Sequence, residues 1–198
     1  MAVQSALADR DSYVNAIGTA LSSGTLDIRS GAQPANCAAA NSGTLGVSIS
    51  LGASPFTTAS GTGVLSLATS HSGTGAANIT AGHFRFMTSG AACRLQGTVG
   101  PQTTGTTSAT TAANGDVLTF ASAPSVVVGQ TLAGTGIPAG TTIAAIFGAT
   151  LIMSKASTAG VGSGVTITFG FDMTIDNASI ATSQSVTVAS YTYTPGDA

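Results

Sequence analysis

Near the start of the chain, in ALADRDSYVNAIGTAL, apolar residues recur at helical spacing. Leu7, Val14, Ile17 and Leu21 would lie on one side of a helix. Acidic residues close to the first turn and Gly24 beyond the end are typical helix boundaries. The pattern predicts one short amphipathic helix, and we expect no other helix in the chain.

After this segment the pattern changes to short apolar or alternating runs separated by Gly, Ser, Asn and Pro. The runs predicted to be strands are TLDIRS, TLGVSISL, GVLSLATS, GHFRFMTS, CRLQGTVG, DVLTFAS, QTLAGTGI, TTIAAIF, TLIMSKA, GVTITFGFDMTID and SVTVASYTYTP. Many short strands with turn residues between them predict an all-β sandwich or barrel. We interpret the fold as a β-sandwich, Ig-like or jelly-roll-like, with a short N-terminal helix and an inserted small β domain.

The run HFRFM illustrates how such a strand is expected to face its surroundings. Phe84 and Phe86 fall on one side of the strand, whereas His83, Arg85 and Met87 fall on the other. The alternation predicts a strand covered mainly on its aromatic face, with His83 on the wetter face.

The composition shifts at PQTTGTTSATTAANG, residues 101–115, which offers almost nothing to bury and is interpreted as a linker or extended surface arm. Strand-like runs resume in residues 116–169, and these predict a small β module interrupting a parent domain. The predicted organisation is a helix or arm over 1–22, a parent sandwich over 23–100 plus 170–198, and an inserted linker and module over 101–169.

Charged residues are scarce: five basic and seven acidic residues stand in a chain of 198. A typical soluble domain of this length would carry about 50. Spread over the roughly 8,400 Å² that a monomer of this mass exposes, they amount to about one charge per 700 Å². Monomers use charge to stay soluble and to keep sheet edges from pairing, so the bare surface favours packing against other subunits. The alternative is a surface kept soluble by hydroxyl and amide groups.

The distribution of charge and hydropathy argues against two classes of partner. The net charge is −2 and the five basic residues are scattered, so no stripe could neutralise several phosphates, and we expect no nucleic-acid binding. No apolar run is long enough to span a membrane, and the first residues do not have the pattern of a secretory signal. We therefore expect a chain that is made and folded in a cytosol.

The sequence offers little for catalysis. Its two histidines are His71, expected in a loop, and His83; no G-x-S-x-G elbow accompanies them. Asp172 and Asp176 would be about 13 Å apart on one strand, too far for a paired-carboxylate hydrolase. Metal-binding spacings of Cys, His and Asp are missing as well. We expect no catalytic, cofactor-binding or metal-binding residue and no enzymatic activity.

Cys37 and Cys93 are the two cysteines. They could pair, but in a cytosolic product we expect small buried thiols. Cys37 has no basic neighbour in sequence and is interpreted as an incidental loop residue, so Cys37→Ser should leave assembly intact. Gly31, Pro34, Ala35 and Gly43 are expected to shape the loop around it.

Three stretches carry a resemblance to a family of tailed-bacteriophage virion structural proteins. They are SGTLDIRSGAQPANCAAANSGTLGVSISL, HFRFMTSGAACRLQGTVG and GFDMTIDNASIATSQSVTVASYTYTP. In the first stretch the matching positions are Leu26, Ile28, Gly31, Gln33, Pro34, Ala35, Ala38, Ala39, Gly43, Leu45 and Leu51. The resemblance covers roughly residues 20–100 and 170–195. Residues 101–169 instead resemble small β modules added to phage structural proteins, by a pattern from Gly129 to Ala159.

The resemblance implies a protein of the capsid surface, assembled in the host bacterial cytoplasm. Its expected partners are the major capsid protein and copies of itself, as a homotrimer or another homo-oligomer, with no cofactor, nucleic acid or membrane. The alternative is a neck, tail or fibre component that binds host-surface glycans. Aromatic residues of the kind that stack on sugars are few in the insert, which argues against this alternative.

Overall fold

The computed structural model describes residues 5–138, 140–175 and 177–195. These residues form one short α-helix and many strands in several sheets, so the expected all-β class with an N-terminal helix is confirmed. Contacts divide the chain into two compact units. The first contains the described residues up to Val99 and from Asn177 onward, and the second contains those from Gly100 to Ile175.

Helix α1 spans Leu7–Ala20. Val14 and Leu21, the residue directly after the helix, are fully buried, whereas Leu7 is 39% exposed, so the buried apolar side of the helix is narrower than predicted. The Asp11 carboxylate accepts backbone hydrogen bonds from Gly63 at 2.7 Å and Gly61 at 2.6 Å, which lower the pKa of that carboxyl group. In the described part of the chain, no helix has the length and apolar character needed to cross a membrane.

The strands are short and follow one another closely. In the first unit they are β1 Thr25–Ser30, β2 Leu45–Ser50, β3 Phe56–Thr57, β4 Leu65–Leu67, β5 His71–Thr74, β6 Ile79–Met87, β7 Cys93–Gly100, β15 Ser179–Ile180, β16 Ser185–Val188 and β17 Thr192–Tyr193. In the second unit they are β8 Thr103–Thr106, β9 Val117–Thr119, β10 Thr131–Ala133, β11 Thr141–Phe147, β12 Thr150–Met153, β13 Thr166–Gly170 and β14 Met173–Thr174.

The main sheet of the first unit has the antiparallel order β7-β6-β1-β2, with β15 paired to the start of β6. Two smaller sheets, β16-β5 and β17-β4-β3, complete the unit. The register places Leu26 opposite Phe86 and Ile28 opposite Phe84, and all four side chains are fully buried. The Tyr191 ring packs against both phenylalanine rings at centroid distances of 5.3 and 5.0 Å. Each buried phenylalanine stabilises such a core by about 2 kcal/mol.

The second unit is built on one antiparallel sheet with the order β8-β13-β10-β11-β12-β9. Directly after β8 and β9, Thr107 forms a bridge with Phe120, and the Ser108 N–H donates to the Thr119 carbonyl at 2.8 Å. This single bridge connects the chain just beyond the two outermost strands of the sheet, β8 and β9. The buried interior consists of Leu118, Phe120, Leu132, Ile143, Leu151, Met153, Val161, Ile167 and Phe169.

The Thr-rich segment at 101–115 is not the linker that its composition suggested. Residues 103–106 form β8 and pair with β13, and Thr107 and Thr111 are buried. The Thr107 hydroxyl donates to the Gly162 carbonyl at 2.7 Å and accepts from the Val165 N–H at 3.0 Å. A β-branched residue whose hydroxyl finds backbone partners is well suited to a strand, so the lack of apolar residues was misleading.

His71 is also placed differently from the prediction. It opens β5 and stands opposite Val188 of β16, rather than lying in a loop. The run HSGT has no apolar alternation, because its strand conformation is imposed by pairing with β16.

Candidate functional site: the loop over the polar face of the main sheet

The largest departure from expectation concerns the face of the main sheet opposite Phe84 and Phe86. The register places Arg29 beside His83, and Arg85 beside Gln96. His83 and Arg85 were expected on the wetter face, but they are 0% and 1% exposed, and that expectation is wrong. They are covered by residues 31–44, the segment between β1 and β2, which we call the cover loop.

Arg85 makes the most contacts with the cover loop. Its Nη1 donates to the Asn41 Oδ1 at 2.6 Å, and its Nη2 donates to the carbonyls of Cys37 at 2.8 Å and Ala39 at 3.1 Å. Burial, reinforced by repulsion from Arg29, lowers the pKa of the Arg85 guanidinium, which nevertheless stays charged at ordinary pH. Neutral oxygens of the loop therefore solvate a buried cation in place of water.

Three further side chains of the sheet hold the ends of the loop. The Gln96 Nε2 donates to the Pro34 carbonyl at 2.6 Å. The Arg29 Nε donates to the Ser42 carbonyl at 2.9 Å. The third side chain is His83, whose Nδ1 lies 3.1 Å from the Gly31 carbonyl oxygen.

The histidine is neutral in this setting. Because a carbonyl oxygen can only accept, the Nδ1 of His83 carries the proton that points to Gly31. Burial lowers the pKa of His83, and repulsion from Arg29 and Arg85 acts in the same direction, while the bond to Gly31 opposes it. Since the pKa is lowered from 6.5, the imidazole is uncharged at pH 7 and adds no third cation to the covered face.

A disulfide joins Cys37 in the middle of the cover loop to Cys93 at the start of β7. The expected free thiols are therefore a wrong prediction, and Cys37 is not an incidental residue. The two Cα atoms are 5.1 Å apart, within the usual range for a disulfide, although 56 positions separate them in sequence. Folding of the loop onto the sheet brings the pair together.

Local backbone features shape the cover loop at both ends and in the middle. Gly31 and Gly43 adopt φ values of +74° and +65°, as their expected role in shaping the loop requires. In the middle, the Asn36 Oδ1 accepts from the N–H groups of Ala38 at 2.9 Å and Ala39 at 3.0 Å, forming a turn that presents Cys37.

Between the cover loop and the turn before β7 lies a surface hollow of about 570 Å³. Alanines form much of its lining, and Arg85, Cys37 and Cys93 also border it. The disulfide is thus reachable by a small molecule from solvent.

The side chains considered for chemistry are dispersed. His71 and His83 belong to different sheets of the first unit, Asp172 lies between β13 and β14, and Asp176 is outside the described residues. Among the described residues, no group of three or more His, Cys, Asp or Glu side chains could hold a metal ion. The donors of Arg85 and Gln96 are directed at backbone carbonyls and the Asn41 side chain of the cover loop, so these two residues bind the loop to the sheet.

Comparisons of the chain with protein-family models, curated proteins and solved structures find no match.

Proposed function

We propose that the chain is a structural protein of a tailed-bacteriophage virion. In this role it decorates or stabilises the capsid by docking on the lattice of the major capsid protein and on copies of itself. The support comes from the resemblance of residues 20–100 and 170–195 to that family of virion proteins and from the character of the surface.

The surface observation carries the proposal. Five basic and seven acidic residues share 9576 Å² of accessible surface, about one charge per 800 Å², and Arg85 is buried. Val127, Val128 and Phe147 of the second unit are 54%, 59% and 69% exposed. A surface that is poor in charge and carries exposed apolar side chains suits burial against neighbouring subunits, with Thr and Ser at the rims setting the register.

In this proposal the parent domain is a β-sandwich, Ig-like or jelly-roll-like, and residues 101–169 are a module inserted into it. The first unit consists of two segments far apart in sequence, and the second unit has its own sheet and buried interior. The parent domain docks on the lattice, while the module projects outward or braces a neighbouring subunit. A homotrimer is the proposed assembly because decoration proteins can occupy local threefold positions of a lattice.

Cryo-microscopy of purified virions tests the proposal. We expect density for the chain on the capsid lattice, and quantitative mass spectrometry of the same particles should give a copy number comparable to that of the major capsid protein. Density confined to the neck or tail, with few copies per particle, would contradict capsid decoration. Reproducible hits on a glycan array would then favour a host-binding component.

A further inference from the structure

The cover loop is held on the sheet by polar contacts and one covalent bond. None of the buried apolar side chains of the described residues belongs to residues 31–44, and most of the loop is exposed. Away from its last residue, Thr44, which pairs with Ser30 of β1, the loop is bound to the sheet by hydrogen bonds from Arg85, Gln96, Arg29 and His83 and by the Cys37–Cys93 disulfide. A segment that buries little apolar surface opens at low free-energy cost once its tethers are removed.

The residues beneath the loop are ones that water would solvate well. Arg85 is 1% exposed, and its Nε is buried with no hydrogen-bond partner among the described residues. The Nε2 of His83 is likewise buried and unpartnered. Covering these groups costs desolvation free energy. The loop therefore stays closed only while the disulfide and the hydrogen bonds hold it on the sheet.

The disulfide is open to exchange with small thiols. Cys37 and Cys93 are half-buried and border the surface hollow of about 570 Å³, so a small thiol can approach their sulfur atoms from solvent. The chain contains no other cysteine, so no internal thiol competes for either sulfur.

We propose that the cover loop is a redox-controlled cover: the Cys37–Cys93 disulfide holds it closed over Arg85 and His83, and reduction of that bond lets it open. The step is a two-electron thiol–disulfide exchange with glutathione. Two glutathione thiols yield one Cys37 thiol, one Cys93 thiol and one oxidised glutathione, and their two protons pass to the protein sulfurs. In a reducing cytosol the loop opens, and in an oxidising medium it closes.

Limited proteolysis of the full chain with elastase, which cuts after small residues, tests the proposal. The cover loop offers the exposed Ala35, Ala38 and Ala40, and the second unit offers the exposed Ala112 and Ala113 as an internal reference. With glutathione, maleimide labelling should show two thiols, and cleavage in the loop should accelerate at least about tenfold, while cleavage at the reference site stays unchanged.

A double variant, Cys37→Ser with Cys93→Ser, separates opening from other effects of the reagent. It should be cut in the loop at the rate of the reduced protein, with or without glutathione. The proposal is overturned if loop cleavage is the same in oxidised and reduced protein, or if glutathione releases no thiols. Equal acceleration at the loop and at the reference site, which would mean general unfolding, also overturns it.

Discussion

Arg85 Nη2 donates a 2.8 Å hydrogen bond to the backbone carbonyl of Cys37, the same residue that the disulfide ties to β7. A buried cation and a covalent bond therefore hold one point of the cover loop. Oxygen atoms of the loop replace the water that the Arg85 guanidinium loses on burial. In return, Arg85 anchors the middle of a long exposed segment.

Replacing Arg85 by methionine should lower the free energy of unfolding by about 2 kcal/mol. Methionine keeps much of the packing of the aliphatic stem but removes three charge-assisted hydrogen bonds, and the relief of a buried charge offsets only part of that loss. Urea denaturation followed by circular dichroism measures the change. Arg94→Met, at an exposed position on β7, is the matched control and should change stability by less than about 0.5 kcal/mol. Equal stability of Arg85→Met and wild type would contradict the anchoring role of Arg85.

His83 should make stability depend on pH. Its pKa in the folded state lies below 6.5, so between that value and 6.5 the unfolded chain binds more protons than the folded chain. The contribution of neutral His83 to the free energy of unfolding is complete above about pH 6.5. It is lost as the pH falls through the folded-state pKa, with a slope of at most about 1.4 kcal/mol per pH unit. Urea denaturation at a series of pH values measures this slope.

The histidine variants make the assignment specific. His83→Gln should remove the fall in stability below pH 6.5, because glutamine does not titrate there. His71→Gln leaves His83 in place and should retain the fall that His83 causes. An undiminished slope in His83→Gln would show that the titration belongs to another group.

Gly31 and Gly43 form a matched pair for testing the shape of the cover loop. Both have positive φ, but a Cβ at Gly43 would lie 1.9 Å from the Ser30 carbonyl oxygen, whereas a Cβ at Gly31 would meet nothing within 4 Å. Gly31→Ala should cost about 1 kcal/mol from backbone strain, and Gly43→Ala clearly more, about 3 kcal/mol. Thermal unfolding of the two variants measures the difference, and equal melting temperatures would contradict the close approach at Gly43.

Most strands could be predicted from the sequence; β3, β5, β8 and β15 lie outside the predicted runs, and β5 and β8 were missed for the same reason. TLDIRS, CRLQGTVG and TTIAAIF coincide with β1, β7 and β11, because turn residues bound each run and its apolar residues mark one buried face. In contrast, β5 and β8 read HSGT and TTGT, and contain no apolar residue to reveal them. Their strand conformation comes from pairing with β16 and β13, which are far away in sequence.

The covered face of the main sheet could not be predicted for a different reason. The alternation in HFRFM correctly separates Phe84 from Arg85, but it does not show what lies over either face. The cover loop binds the sheet through backbone carbonyls, such as those of Pro34 and Ala39, and carbonyl oxygens leave no pattern in a sequence. Pairing of Cys37 with Cys93 likewise follows from the fold and not from their spacing.

Truncation of two phenylalanines of the second unit should change stability by very different amounts. Phe169 is fully buried and its ring centroid is 5.7 Å from that of Phe120, so Phe169→Ala leaves a cavity and should lower the free energy of unfolding by about 3–5 kcal/mol. Phe147 ends β11 before the turn at Gly148 and is 69% exposed, so Phe147→Ala should change it by less than about 0.5 kcal/mol. Urea denaturation followed by near-ultraviolet circular dichroism measures both. If the two variants were equally destabilised, the ring of Phe147 would be buried in solution and could not belong to the exposed apolar surface that supports the proposed assembly.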